Sequence, residues 1–271
     1  MLEVRPHPAP GTAFILLWFF SAVVLGETPE VPTSIKSIAI RFCKILVGAA
    51  SLLAPWSARK ILVVAAQELD TAQHHLRAVQ RANAVLHSAT EKRLNVGCGP
   101  NRKPGWVNID LDPTSDLQLD IRRPLPFPDQ SCDFIYGEHM FEHLSYPGDC
   151  ELFLRECHRV LKSGGILSLG VPDAEPALKD YAAGRMEGFD WFARQPWAPQ
   201  WAVTRLDKIN YLFRQQSEQL SVEHKYAYDF ETLSRRLVDR GFVKVRRRDF
   251  DPALDAEVRR TGTLYCDTEK P

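Results

Sequence analysis

Apolar positions change their period several times along the chain, and each change marks a different element. The densest run is Thr12 to Gly26, "TAFILLWFFSAVVLG", shorter than the ~20 residues that a spanning helix needs. One arginine precedes it and no A-x-A cleavage site follows, so residues 1–30 read as an anchor, a signal-like core or a mis-assigned start. Next, Ile35, Ile38, Phe42, Ile45, Leu46, Ala49, Leu52, Leu53 and Trp56 share one helical face, with Lys36, Arg41 and Lys44 off it and Pro55 marking the end. A basic amphipathic helix of this kind either lies in a membrane interface or packs on its own protein. From Lys60 to Leu86 the positions Leu62, Ala65, Leu69, Ala72, Leu76, Val79 and Leu86 keep three-four spacing. With two alanines and Asn83 on it, that seam is thin for a coiled coil, and docking against the following domain is expected. A helical extension over 31–90 thus leads, through the linker "HSATEKR" (87–93), into a domain over 91–271.

Within that domain the pattern shortens. "RLNVGCG", "WVNID", "LQLD" (117–120) and "CDFIYG" (132–137) are apolar runs that end on glycine or a carboxylate, and they predict four strands. Asp149 to Lys162 predicts a helix with Leu152, Cys157, Val160 and Leu161 inward. Ser163-Gly164-Gly165 ends it, and "ILSLGVPD" (166–173) predicts a buried fifth strand. Strands separated by connectors and helices argue for an α/β fold, an open and mainly parallel sheet covered on both faces. Residues 174–223 fall outside this pattern and read as a lid-like insertion. They carry Tyr181, Phe189, Trp191, Phe192, Trp197, Trp201, Tyr211 and Phe213, suited to gripping a planar, sugar or lipid acceptor or to forming a small core of their own.

Composition narrows the function classes. Lys plus Arg and Asp plus Glu are both 34, so the chain has no global electrostatic footprint for nucleic acid. Six cysteines occur without a C-x-x-C pair or metal-ligand spacing, which suggests reduced, packed thiols and a cytoplasmic location, with peripheral membrane contact through residues 12–56 as an option.

Ligands of an open parallel sheet sit beyond the carboxyl ends of its strands. Those ends are Gly97 and Gly99, Asp110, Asp120, Gly137-Glu138-His139 and Pro172-Asp173. Glycines let a ligand approach the backbone, and a carboxylate ending the second strand can accept from both hydroxyls of a ribose. A dinucleotide turn would place glycine where Arg102 stands, with its acid ~20 residues on; Asp110 lies 110 − 97 = 13 beyond the first glycine. There is no room for the helix whose N-terminus grips a pyrophosphate. A nucleoside carrying a positive charge in place of phosphate fits better, and S-adenosylmethionine is that ligand.

"LNVGCGP", "NID", "LDIRRPLPFPDQSCDFIYGEHMFEHL" and "RECHRVLKSGGILSLGVPD" resemble, in order, the motifs of class I S-adenosylmethionine-dependent methyltransferases of the type-11-like branch. "HKYAYDFETLSRRLVDRGFVKV" and "GTLYC" resemble the last helix and closing strand pair of that branch. The likeness spans about Lys92 to Lys270 and implies a Rossmann-like, seven-stranded sheet. It implies that Gly97, Cys98 and Gly99 lie under the methionyl and ribosyl parts of the cofactor and that Asp110 holds the ribose. It also implies that Asp120 reaches the adenine amino group with Ile121 beside the ring, and that Gly137 and Glu138, with His139, line the sulfonium end. Asn95 stands where many relatives carry an acid that helps seat the cofactor ammonium.

Each candidate has a plainer reading. Asp110 could cap a turn, Asp120 could be a turn aspartate before "RRPLPFP", and Cys98 a small packing residue. "HMFEH" (139–143) matches the zinc-protease pattern H-x-x-E-H, but no third ligand is evident and no metal is expected. His143, His139 and Asp173 are the acceptor-side or general-base candidates, with Asp173 equally suited to starting a helix; His224, Tyr226 and Tyr228 are candidates for closing the pocket. The expected activity is methyl transfer to an O or N nucleophile of a small-molecule, glycan or lipid acceptor. The rival readings are a nicotinamide-dependent oxidoreductase and a non-catalytic, membrane-tethered binding module.

Overall fold

The computed structural model describes residues 32–53, 56–185, 198–214 and 223–271. The apolar run at 12–26 lies outside these residues, as do Phe189, Trp191, Phe192 and Trp197 of the aromatic-rich segment. The chain divides into two compact units, one ending at Arg77 and one beginning at Ala78.

In the first unit, α1 (Thr33–Leu53) packs on the early part of α2 (Trp56–Ser88). Its core is Ile40, Leu69 and Ala72, with Cys43, Val47 and Leu76 against them, and Lys44 pairs with Asp70. The expected apolar face of α1 is therefore not the buried one. Ile40, Cys43 and Val47 form a second apolar stripe at i, i+3 and i+7, and that stripe is used, leaving Ile38 67% and Leu52 80% exposed. Among the described residues no helix is long and apolar enough to cross a membrane.

The second unit is built on a seven-stranded sheet of order β3-β2-β1-β4-β5-β7-β6. The strands are β1 (Arg93–Val96), β2 (Val107–Asp110), β3 (Leu117–Gln118), β4 (Cys132–Glu138), β5 (Leu161–Pro172), β6 (Val243–Arg248) and β7 (Thr263–Glu269). The first five run parallel, whereas β7 is antiparallel to both β5 and β6. Consecutive residues Leu94, Asn95 and Val96 are all buried, as are Val107, Asn108 and Ile109. Because neighbouring side chains point to opposite faces, both faces of the central strands are covered. The covering side chains include Phe153, Leu154 and Cys157 of α3 (Gly148–Val160), and Leu233 and Leu237 of α6 (Phe230–Asp239). Ala78, Ala82 and Leu86 of α2 belong to this same core, so the last turns of the helical extension are structurally part of the sheet domain. Lys92 fastens that end, its ammonium donating to the carbonyls of Leu86, His87 and Ala89. Two further helices, α4 (Ala174–Ala182) and α5 (Arg205–Arg214), pack through Ala177, Ile209 and Leu212.

Candidate functional site

Between β1 and β2 the chain makes turns and no helix, as its length requires. The loop is held down by Gly97 and Cys98 N–H groups donating to the Ile109 carbonyl at 2.8 and 3.1 Å. Asn95 steadies it from below, donating to the Asn101 carbonyl and to Asn108 Oδ1, each at 2.9 Å. Asn108 in turn accepts from Lys103 N–H at 2.7 Å and donates to Asp116. The Asn95 amide thus braces the loop.

The two glycines differ. Gly97 has φ +67°, and a Cβ there would stand 2.4 Å from Met140 Cβ. Gly137 is approached by the same side chain, its virtual Cβ 3.0 Å from Met140 Sδ. Met140 therefore wedges under both strand ends, which is one reason those positions are glycine. Gly99, at φ +45°, has open space where a side chain would project. Its N–H donates to Asp110 Oδ2 at 2.8 Å, and Asp110 Oδ1 accepts from Asp112 N–H. Half-buried Asp110 is so oriented toward the loop with acceptor capacity to spare. Cys98 is buried, and burial followed by the Asp110 charge pushes its thiol up to about 12, which fits a packing residue and not a nucleophile.

A pocket opens beside this loop, lined among others by Gly97, Asn101, Lys103, Tyr136, Glu138 and Asp255. Its far wall comes from the segment joining β6 to β7. Tyr136 donates to Asp255 Oδ1 at 2.9 Å, and Arg248 clasps both Asp255 oxygens at 2.6 and 2.7 Å. Tyr265 donates to Glu138 Oε1 at 2.8 Å. Burial raises Glu138 above the ordinary carboxylate range, although Tyr265 and the Ala256 N–H act against it. Burial lowers Lys103, which lies 4.7 Å from the Tyr136 ring centroid and bonds the Leu254 carbonyl. Lys103, Tyr136 and Asp255 were not among the sequence candidates, and only the alternation of β4 could have suggested Tyr136.

Other candidates fall elsewhere. Asp120 is buried and already engaged: Oδ1 accepts from Arg122 N–H and Nε, and Oδ2 from Arg122 Nη2 and Arg123 Nε. An adenine amino group would have to compete with these. Ile121 is half-buried against the core. His139 sits at φ +52° with both ring nitrogens committed, Nε2 to Thr263 Oγ1 at 2.9 Å and Nδ1 to Arg259 Nη1 at 3.0 Å. That leaves it no free lone pair for general-base work. Asp173 caps α4, accepting from Glu175 N–H at 3.1 Å, and meets Arg247 at 3.4 Å. Tyr228 is core, its hydroxyl 3.2 Å from Cys150 Sγ, while Tyr226 stacks on Tyr146 at 4.1 Å. A second, narrower cleft is lined by Glu142, Pro172, Asp173, Phe213 and Tyr226.

Residues 94–169 match the family model of a type-11 methyltransferase domain. The chain carries a class I, type-11-like methyltransferase domain. Its cofactor is S-adenosylmethionine, and the chain is a methyltransferase dependent on it. Similar solved structures include a SAM-dependent methyltransferase of Thermotoga maritima, described as a possible histamine N-methyltransferase (15% identity, 80% of this chain and 100% of that one, TM-score 0.39). Others are SAM-dependent methyltransferases of Methanosarcina mazei (16%, 69% and 96%, 0.41) and Archaeoglobus fulgidus (14%, 73% and 94%, 0.39). At such identities and scores these likenesses add nothing to the family match. No curated protein matches the chain.

The site of this methyltransferase domain fits its cofactor on three grounds. The open side of Gly99 leaves room over the backbone. The Gly99–Asp110 hydrogen bond orients a carboxylate with acceptor capacity that two vicinal hydroxyls can use. Glu138 and Lys103 bring opposite charges to one pocket, as a zwitterionic amino-acid moiety requires. The dinucleotide alternative lacks the helix that a pyrophosphate needs.

Proposed function

We propose that the chain transfers a methyl group from S-adenosylmethionine to an oxygen or nitrogen nucleophile of a small-molecule, glycan or lipid acceptor. The cofactor supplies an electrophilic methyl on a sulfonium. In this reading Asp110, oriented by the Gly99 N–H, takes the ribose hydroxyls, and Lys103 and Glu138 take the charged ends of the methionyl moiety. The observation that carries it is the Gly99–Asp110 bond beneath open space.

Direct displacement asks for alignment more than for proton transfer. Orientation supplies up to ~7–11 kcal/mol of such a barrier, against a factor of ~10²–10⁴ from a placed base. That weighting suits a site where His139 is tied up and Asp173 caps a helix. The cleft bounded by Glu142, Asp173, Phe213 and Tyr226 is the acceptor side, and the balanced formal charge favours an acceptor other than nucleic acid. We also propose that the exposed face of α1 rests on a lipid surface.

Calorimetry with S-adenosylhomocysteine tests the cofactor half. The wild type binds it and Asp110→Ala weakens binding about 10- to 100-fold, the worth of hydrogen bonds to a charged group, while NADH gives no heat. Equal affinity in the folded variant would remove Asp110 from the site. Incubating the enzyme with methyl-labelled cofactor and cell-extract fractions tests the acceptor half: label that survives nuclease and protease supports it, and nuclease-sensitive label overturns it.

A further inference from the structure

The turn Phe141–His143 that follows β4 carries a carboxylate with no evident employment. Glu142 is 1% exposed, and neither of its side-chain oxygens has a hydrogen-bond partner. Leaving such a group unsatisfied costs ~1–3 kcal/mol, and more when it is charged. Three histidines surround it, and their hydrogen bonds determine what each presents.

His143 Nδ1 lies 3.1 Å from the Glu223 carbonyl, and His224 Nδ1 lies 2.7 Å from the Leu212 carbonyl. A carbonyl only accepts, so both Nδ1 atoms carry hydrogen. A neutral ring with hydrogen on Nδ1 has a bare lone pair on Nε2. Both Nε2 atoms lie near the same oxygen, each 3.8 Å from Glu142 Oε1. His139 Nδ1 is also close, at 3.5 Å, but it already accepts from Arg259. Two imidazole lone pairs and a carboxylate oxygen converging in a buried site repel one another unless a positive centre lies between them.

The main chain builds this convergence. Lys225 and Tyr226 N–H groups both donate to the Glu142 carbonyl, at 2.8 and 3.3 Å, clamping the segment after His224 to the turn. The His143 and His224 rings meet edge-on at 5.0 Å. Imidazoles held by Nδ1–H to backbone carbonyls, with Nε2 turned inward, are arranged as metal-ligating histidines are.

We propose that Glu142, His143 and His224 hold a divalent transition-metal ion of the zinc class. The three ligand atoms lie within 4.8 Å of one another. Zinc bonds of ~2.0–2.2 Å put tetrahedral ligands about 3.4 Å apart, so loading closes the two carboxylate–imidazole distances of 3.8 Å by about 0.4 Å and the imidazole pair by at most about 1.4 Å. Two imidazoles and one carboxylate suit zinc and leave a fourth position open. The Arg259 charge opposes a cation here, and a Glu142 carboxylate bound to the ion would offset it. Glu142 also lines the cleft shared with Asp173 and Tyr226, so the ion stands in the wall of that cleft. H-x-x-E-H at 139–143 suggested two histidines and a glutamate in sequence. The fold instead discards His139 and recruits His224.

The test uses the full chain after treatment with a chelator. Titrated with zinc, and separately with cobalt, it takes up one ion per chain, and cobalt produces the visible absorption of a tetrahedral site. His143→Gln and His224→Gln, checked for folding by circular dichroism, each weaken binding at least about 100-fold, while the exposed His87→Gln binds as wild type. His143 is half-buried, so its variant keeps the test open if the His224 variant fails to fold. No uptake of zinc or cobalt by the wild type, or unchanged affinity in folded His143→Gln, overturns the proposal and leaves a proton on Glu142 as the bridging centre. The readout is metal binding, so the result is independent of the methyl acceptor.

Discussion

Asp120 shows how one residue can serve the fold in a place where a ligand contact was expected. Burial raises its carboxyl, but the hydrogen bonds and charge of Arg122, joined by Arg123, outweigh this and hold it below the usual carboxylate range. A depressed folded value means the stabilisation is fully present above the unfolded value near 3.8 and is lost as pH falls through the folded one. Removing one partner of a buried pair costs ~3–5 kcal/mol. Arg122 keeps 31% of its side chain exposed, which screens the pair and brings the expectation for Asp120→Asn to about 2 kcal/mol at neutral pH. Urea unfolding at neutral pH and again below pH 4 should show the gap between variant and wild type closing as the medium turns acid. A gap that is constant with pH would mean the carboxylate's charge is not what matters. At this scale the pairing of Gly99 with Asp110 was legible because one lies in the turn after β1 and the other ends β2, the strand beside it. Lys103 and Asp255 were not, since their partners lie 151 and 119 residues away, and no local period encodes such a meeting. His224 was legible only as a pocket candidate, with its carboxylate partner hidden 224 − 142 = 82 positions upstream.

Elements were read more reliably than side chains, with α1 as the instructive exception. Short apolar runs ending on glycine or acid became β1 to β5 because parallel strands buried on both faces carry that signature. In α1 the apolar positions run nearly all the way round, and periodicity cannot choose which stripe a partner helix will cover. Ala72 and Leu69 meet Ile40, so Ile35, Ile38, Phe42, Ile45 and Leu52 remain exposed, next to exposed Arg41. A helix apolar on both sides in water wants a second cover, and lipid with anionic headgroups supplies both the apolar phase and the counter-charge. The full chain should pellet with anionic vesicles. Ile38→Asp with Phe42→Asp should reduce that at least about tenfold, since burying each side chain is worth ~1.5–3 kcal/mol. Both positions are exposed, so thermal stability should stay put. Wild type left in the supernatant, or a double variant that pellets equally, would leave the face without a lipid role.

At the scale of the whole molecule, the boundary expected from composition and the boundary set by packing differ, and the difference is measurable. "HSATEKR" reads as a linker because it is polar, and α2 does end at Ser88. Yet the compact unit that holds the sheet begins at Ala78, because Ala78, Ala82 and Leu86 are buried in the sheet's own core. A chain that starts at residue 91 therefore exposes core surface. It also strips Lys92 of the Leu86, His87 and Ala89 carbonyls and Asp116 of its contact with Arg81. Burial of one leucine is worth ~1.5–3 kcal/mol and each alanine methyl ~0.8 kcal/mol, which puts the loss at about 3–5 kcal/mol. Against a typical total of ~5–15 kcal/mol, such a truncation should unfold at much lower urea. Leu86→Ala in the full chain should account for about 2–4 kcal/mol of it. If residues 91–271 instead unfold at the midpoint of the full chain, the last turns of α2 contribute nothing to the core. The polar linker would then be the domain boundary after all.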